Sequence, residues 1–247
     1  MSDPTDQASA GGEAAGAGDD SIAARLAQVR DRLARATAAA GRAPGAVRLL
    51  AVSKLQPASA LREAYAAGQR EFGENYPQEL ASKAAELSGL PGLALELIGH
   101  LQSNKARLVA PLTACVHTVD SPSLARELGK RAAGRTTPLP VLVEVNVGGE
   151  AQKHGCAPGD LAAVLAAIEA EPALRLAGLM TVPPATDDPA DARPFFRQLR
   201  ELRDAHGGPA RLPELSMGMS HDLEAAVAEG ATVVRVGTAI FGARPAR

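Results

Sequence analysis

A single (β/α)8 barrel of the TIM type, carrying one extra N-terminal helix, is the α/β fold that this sequence predicts. Three observations carry it. Eight short β-type runs alternate with helical stretches, no second compositional regime interrupts them, and no Gly-x-Gly-x-x-Gly follows the first run. An open doubly wound sheet shares the alternation and stands as the alternative, because alternation alone does not close a barrel.

Residues 1–20, MSDPTDQASAGGEAAGAGDD, hold almost nothing apolar to bury and read as a disordered leader before a barrel domain over 21–247. Ser21 is placed to cap a helix in which Ile22, Leu26, Val29 and Leu33 share one face, and Gly41 ends it. The runs VRLLAVS (47–53), REFGEN (70–75), LELIGH (95–100) and VHTVD (116–120) precede helices over 58–68, 77–88, 102–110 and 122–133. The second half repeats the rhythm: PVLVEVN (140–146), LRLAGLMTV (174–182) and ELSMG (214–218) precede 158–170, 190–206 and 220–229, and TVVRVGTAIFG (232–242) comes last. Almost no chain follows that last strand, so the N-terminal helix is expected to cover the place of an eighth outer helix.

The 247 residues are 46% hydrophobic, enough for one large core, but only 2% aromatic with no Trp, which excludes base-stacking nucleic-acid platforms. Lys plus Arg number 26 against 28 acidic residues, and a net charge of −2 is no footprint for nucleic acid or anionic lipid. Cys115 and Cys156 lack the spacing of a disulfide framework or zinc site and read as core thiols of a reducing compartment. No secretory leader and no run of about 18 apolar residues is visible, so a cytoplasmic protein without membrane or nucleic-acid partners is expected.

In a parallel barrel, chemistry gathers where the strands' C-terminal ends open on one mouth. Lys54 follows the first strand there, Asn75 the second and His100 the third, while Met219 and Ser220 follow the seventh, and Arg235, Gly237 and Thr238 belong to the eighth. A lysine partly desolvated in such a mouth loses preference for its charged form, and its free amine attacks aldehydes. Taken alone, Lys54 reads equally well as a lysine snorkelling to water. The end of the chain shifts the balance. Ser220 is placed at the N-cap of the helix HDLEAAVAEG, and Gly237 and Thr238 offer backbone amides and a hydroxyl beside it, which together make a phosphate cup at the strands where such barrels bind phosphate. An amine facing a phosphate cup suits a ligand with both an aldehyde and a phosphate, as pyridoxal 5′-phosphate has.

The blocks LLAVSK (49–54), GQREFGENYPQEL (68–80), IGHLQSNK (98–105), EVNVGGEAQKHG (144–155), GLM (178–180) and LSMGMSHDLEAAVAEGATVVRVGTAIFG (215–242) resemble, in order and spacing, the pyridoxal phosphate homeostasis proteins. These are single-domain barrels similar to the N-terminal domain of alanine racemase, and the resemblance spans about residues 21 to 244. It implies that Lys54 holds pyridoxal phosphate as a Schiff base, that Ser220, Gly237 and Thr238 hold the phosphate, that Arg235 faces the pyridine nitrogen, and that Asn75 and Met219 line the cofactor. It implies a monomeric, non-catalytic protein of intracellular vitamin B6 homeostasis that passes the cofactor to apoenzymes. An amino-acid racemase or lyase on the same barrel is the enzymatic alternative; the racemases' second domain, with its catalytic tyrosine, has no counterpart in this sequence. A cofactor-independent Schiff-base aldolase would need Lys54 but neither the cup nor Arg235. Two positions depart from the family: Gln56 stands where many members carry a second lysine, and Leu95-Glu96 where Trp-His is common.

Overall fold

The computed structural model describes residues 20–150 and 152–243; the leader expected over 1–20 lies outside the described residues except for Asp20. In chain order the elements are α1 (Ile22–Ala39), β1 (Arg48–Val52), α2 (Ala58–Ala66), β2 (Glu71–Glu74), α3 (Pro77–Glu86), β3 (Ala94–Leu97), α4 (Ala106–Val109), β4 (Cys115–Val119) and α5 (Pro122–Ala132). Then come β5 (Leu139–Glu144), α6 (Leu161–Glu169), β6 (Leu174–Met180), α7 (Arg193–Ala205), α8 (Gly208–Arg211), β7 (Glu214–Ser216), α9 (Leu223–Ala228), β8 (Val233–Val236) and α10 (Thr238–Phe241). All eight strands pair in parallel and in sequence order, and β8 returns to β1 with Arg48 opposite Val233 and Ala51 opposite Val236. That closure removes the open-sheet alternative.

Period-two alternation sorts each strand's side chains between two environments. Leu49, Ala51, Val141, Val143 and Val234 join the main core between sheet and helices, while Cys115, Leu142, Ala177 and Met180 form a separate cluster inside the barrel. The floor of the interior is ionic: Arg48 reaches Glu71, Glu96 and Glu214 at 3.3, 2.8 and 2.9 Å. Both cysteines are buried, and burial pushes the Cys156 thiol up to about 12 and Cys115 well above its ordinary value, so neither is a ready thiolate.

The N-terminal helix fills the place expected for it. Ser21 accepts the Ala24 N–H, and Leu26, Val29 and Leu33 are buried as α1 packs against α2, α9 and α10. Burying each of those side chains contributes about 1.5–3 kcal/mol. Polar contacts fix the angle: Arg25 Nε donates to the Ile240 carbonyl at 2.8 Å, and Arg42 to that of Ala231 at 2.6 Å. One boundary differs from expectation. The last strand stops at Val236 and Thr238–Phe241 forms the helical turn α10, because Ile240 and Phe241 are drawn into the core shared with α1. A short apolar run has no periodicity to separate strand from helix; the tertiary contact decides.

Candidate functional site

The seven residues singled out from sequence converge. Lys54, Asn75, Met219, Ser220, Arg235, Gly237 and Thr238, with Val52, Ile98, Val182 and His221, line one cleft of about 390 Å³ at the C-terminal mouth of the barrel. Two larger hollows, about 540 and 600 Å³, lie among the loops entering β4 and β5, on the opposite face. Their titratable lining is Arg131 and Arg135 in one and Arg126, Lys130, Arg135 and Glu171 in the other, whereas the mouth gathers a lysine, an arginine, a histidine and two hydroxyls in one cleft.

Ser220 is not the helix cap that its sequence context suggests. α9 begins at Leu223 with Asp222 as N-cap, and Asp222 Oδ1 accepts the Met219 N–H at 2.6 Å. The aspartate closes the turn on itself, which leaves Ser220 at the bend, where its carbonyl accepts from Arg32 Nη1 at 2.7 Å. Gly218, with φ of +92°, makes the turn possible; a Cβ there would also sit 2.4 Å from Ala226 Cβ. Gly99 permits a second approach, since a Cβ would meet the Asn75 carbonyl at 2.2 Å. With only hydrogen there, the segment after β3 packs directly against the Asn75 backbone.

A buried charge cluster supports the Lys54 turn. Lys83 Nζ, on α3, donates to the Ser53 carbonyl, Glu74 Oε1 and Glu79 Oε1, each at 2.7 Å, and Ser53 Oγ donates to Glu74 Oε1 at 2.6 Å. Glu79 Oε1 also accepts the Leu55 N–H at 2.7 Å. Leu55, next to Lys54, has φ of +64° and is the one non-glycine residue in the left-handed region among those described. That conformation costs about 1–2 kcal/mol, which the charge-assisted bond offsets. Burial raises the Glu74 carboxyl above its usual range, with Lys83 opposing. Sequence reasoning missed this cluster; the Glu79–Lys83 i,i+4 spacing was its one visible trace.

On β8, the strand paired with β1, Arg235 is buried, donating from Nη1 to Ser216 Oγ and from Nη2 to the Thr181 carbonyl, both at 2.8 Å. Burial pulls its pKa down to about 10, against the fields of Glu144 and Asp222, so it stays charged at neutral pH. Glu144, at the end of β5, is pushed up to about 7 by burial and by Asp120, with Arg235 opposing. Below Arg235, Ser216 Oγ lies 2.9 Å from His117 Nδ1, and His117 Nε2 lies 2.6 Å from Glu96 Oε2. Burial would raise Glu96, but the bonds to His117 and Arg48 win and hold it at about 2.

Tyr76 is the exposed N-cap residue of α3, Tyr65 donates to the Pro91 carbonyl under a stacked Arg70, and Lys153 pairs with Glu150 and the Pro183 carbonyl. His100 and His154 stack with ring centroids 3.7 Å apart, outside the cleft lining. No helix among the described residues is long and apolar enough to cross a membrane.

The cleft's donor set suits pyridoxal phosphate. Among the described residues Asn75 Oδ1 is buried without a hydrogen-bond partner, an acceptor that a polar ligand would satisfy. Comparison with known proteins points the same way. The family model for the alanine racemase N-terminal domain matches residues 24–245. The pyridoxal phosphate homeostasis protein of Pseudomonas aeruginosa is 52% identical over 224 residues, covering 90% of this chain and 96% of the relative. That of Aquifex aeolicus is 43% identical over 222 residues, covering 89% and 97%. PipY of Synechococcus elongatus, solved with pyridoxal phosphate bound, is 42% identical with a TM-score of 0.76 and covers 90% of this chain and 100% of PipY. Alanine racemase of Corynebacterium glutamicum, at 18% identity and a TM-score of 0.62 over 90% of this chain and 62% of the racemase, shares the fold.

Proposed function

The chain belongs to the alanine racemase N-terminal domain family, among the pyridoxal phosphate homeostasis proteins, and from that premise we propose that it binds pyridoxal 5′-phosphate in the mouth cleft, as a Schiff base on Lys54. The observation that carries this reading is the convergence of one lysine, one buried cationic arginine and the Ser220/Gly237/Thr238 group on a single cleft with an orphaned Asn75 acceptor. Pyridoxal phosphate supplies an aldehyde that condenses with an amine and releases water. Lys54 supplies that amine, on a turn held by Glu79 and Lys83. Ser220 and Thr238 offer hydroxyls, and Gly237 backbone, to the phosphate. Arg235 faces the ring nitrogen; a guanidinium does not surrender its proton, so the nitrogen stays an acceptor and the cofactor is a poor electron sink.

That last property favours holding over catalysis. Removing and returning an α-proton needs a group on each face of a substrate, and Ile98, Val182 and Met219 in the cleft lining have no proton to exchange. His221, the remaining titratable side chain there apart from Arg235, is turned to the Asp187 carbonyl at 3.2 Å. The role follows as a cytoplasmic monomer that retains a reactive aldehyde and passes it to apoenzymes. Borohydride reduction of the loaded protein followed by peptide mapping tests the site. A label on Lys54 is expected; a label on Lys105 or Lys153 refutes the assignment. Rapid α-proton exchange of amino acids in deuterated buffer would instead make the protein an enzyme.

A further inference from the structure

Inside the barrel a continuous line of polar side chains runs from the floor to the cleft. Arg48 Nη1 donates to Glu96 Oε1 at 2.8 Å, Glu96 Oε2 lies 2.6 Å from His117 Nε2, His117 Nδ1 lies 2.9 Å from Ser216 Oγ, and Ser216 Oγ accepts from Arg235 Nη1 at 2.8 Å. His117 and Ser216 are fully buried. Neither touches the cleft. A buried polar network of this kind is costly unless every member is satisfied, so its hydrogen positions can be assigned by exhausting the partners.

The Ser216 hydroxyl accepts from Arg235 and must place its own hydrogen. His117 Nδ1 is the acceptor within reach, so Nδ1 carries no hydrogen and Nε2 donates to Glu96. A doubly protonated ring would point Nδ1–H at the same hydroxyl and leave the serine hydrogen without an acceptor among the described residues. The carboxylate at position 96 enforces this order because it only accepts. Histidine, which the family resemblance would place at 96, could donate there and let the ring of His117 turn over its tautomer.

We propose that His117 and Ser216 are positioning residues for Arg235: the Nε2–H imidazole, locked by Glu96, aims the Ser216 lone pair at the guanidinium and so holds it against the barrel wall with its free N–H groups toward the cleft. Two of the five guanidinium N–H groups are engaged by Ser216 and the Thr181 carbonyl, and three have no acceptor among the described residues. The fixed pair therefore dictates where the others point. This inference rests on the reading above for what Arg235 meets, but the line of bonds itself belongs to the unloaded protein.

Nuclear magnetic resonance of unloaded protein carrying 15N-histidine and 15N-arginine tests the line directly. His117 should show one protonated ring nitrogen, Nε2, and Arg235 should show two distinct, slowly exchanging Nη groups. Ser216→Ala and His117→Phe should merge the Arg235 signals, and Ser216→Thr, which keeps a hydroxyl, should retain them. A proton on Nδ1, on both nitrogens, or unmerged Arg235 signals in a folded Ser216→Ala protein would overturn the proposal. In protein loaded with ring-15N pyridoxal phosphate, Ser216→Ala should move the ring-nitrogen resonance and raise the dissociation constant roughly tenfold, the effect of loosening one charge-assisted bond. Unchanged resonance and affinity refute the positioning role. Should wild-type protein fail to take the cofactor on Lys54, the proposed function falls, while the unloaded spectra still decide the line.

Discussion

Replacing Lys83 with Met would remove the ammonium from the cluster beneath the Lys54 turn and leave Glu74, which has no solvent exposure, without its cation. Stripping one partner from a buried ion pair costs about 3–5 kcal/mol, far more than a surface pair. At about 2–4 °C per kcal/mol for a chain of this size, the melting temperature should fall by roughly 6–20 °C. The sign of the pH effect follows from Glu74. Its folded-state pKa is already raised by burial, and losing Lys83 raises it further. A carboxyl with a raised folded pKa stabilises the fold when protonated, fully so below its unfolded value, and that contribution is lost as pH rises through the folded pKa. The deficit should therefore be smallest at pH 5 and largest at pH 8. Circular dichroism melts at both pH values measure it, and Lys83→Met/Glu74→Gln should recover part of the loss at pH 8. A fall below about 2 °C, equal at both pH values, would refute the reasoning, since it would mean Glu74 does not depend on Lys83. Cofactor loading should weaken in parallel, because Ser53 loses the contact that holds its carbonyl next to Lys54.

Other outcomes are expected from the same structure. Lys54→Ala should abolish the visible Schiff-base band of protein mixed with pyridoxal phosphate; an intact band would place the linkage elsewhere. Ser220→Ala and Thr238→Ala should each weaken retention by about 1.5–3 kcal/mol, roughly 10- to 150-fold in dissociation constant by equilibrium dialysis, with the band still forming, and equal retention in both would move the phosphate away from this turn. Glu144, raised to about 7, disfavours the fold once ionised, so Glu144→Gln should gain on wild type in melting temperature between pH 5 and 8; a difference that stays flat across that range would show that Glu144 is not raised. Removing residues 1–19 should change neither melting temperature nor retention, and a large fall in either would give those residues a structural part.

Much of the architecture was legible because it rests on local pattern. The 3.6-residue spacing of Ile22, Leu26, Val29 and Leu33 announces α1, and eight β-type runs divided by helices announce a parallel sheet with both faces covered. The mouth residues were legible for a related reason: strand ends in a parallel barrel share one edge, so residues directly after the strands can be gathered without knowing the fold in detail. What failed was local geometry that depends on a partner. Ser220 has the composition of a cap, yet Asp222 two residues on closes the turn, and the run through Phe241 becomes a helix because α1 receives Ile240 and Phe241.

The sequence by itself determined the order of elements, the apolar faces and the chemical types at the barrel mouth, since these follow from residue identity and periodicity. Only the tertiary structure decided that Lys83 would be buried under the Lys54 turn and that His117, Ser216 and Glu96 would join into one line behind Arg235. Those residues lie on different strands and helices, and the three bonds of the line from Glu96 through His117 and Ser216 to Arg235 join positions 21, 99 and 19 apart. Whether a polar side chain is satisfied depends on which atoms barrel closure brings within about 3 Å, and no spacing along the chain encodes that distance.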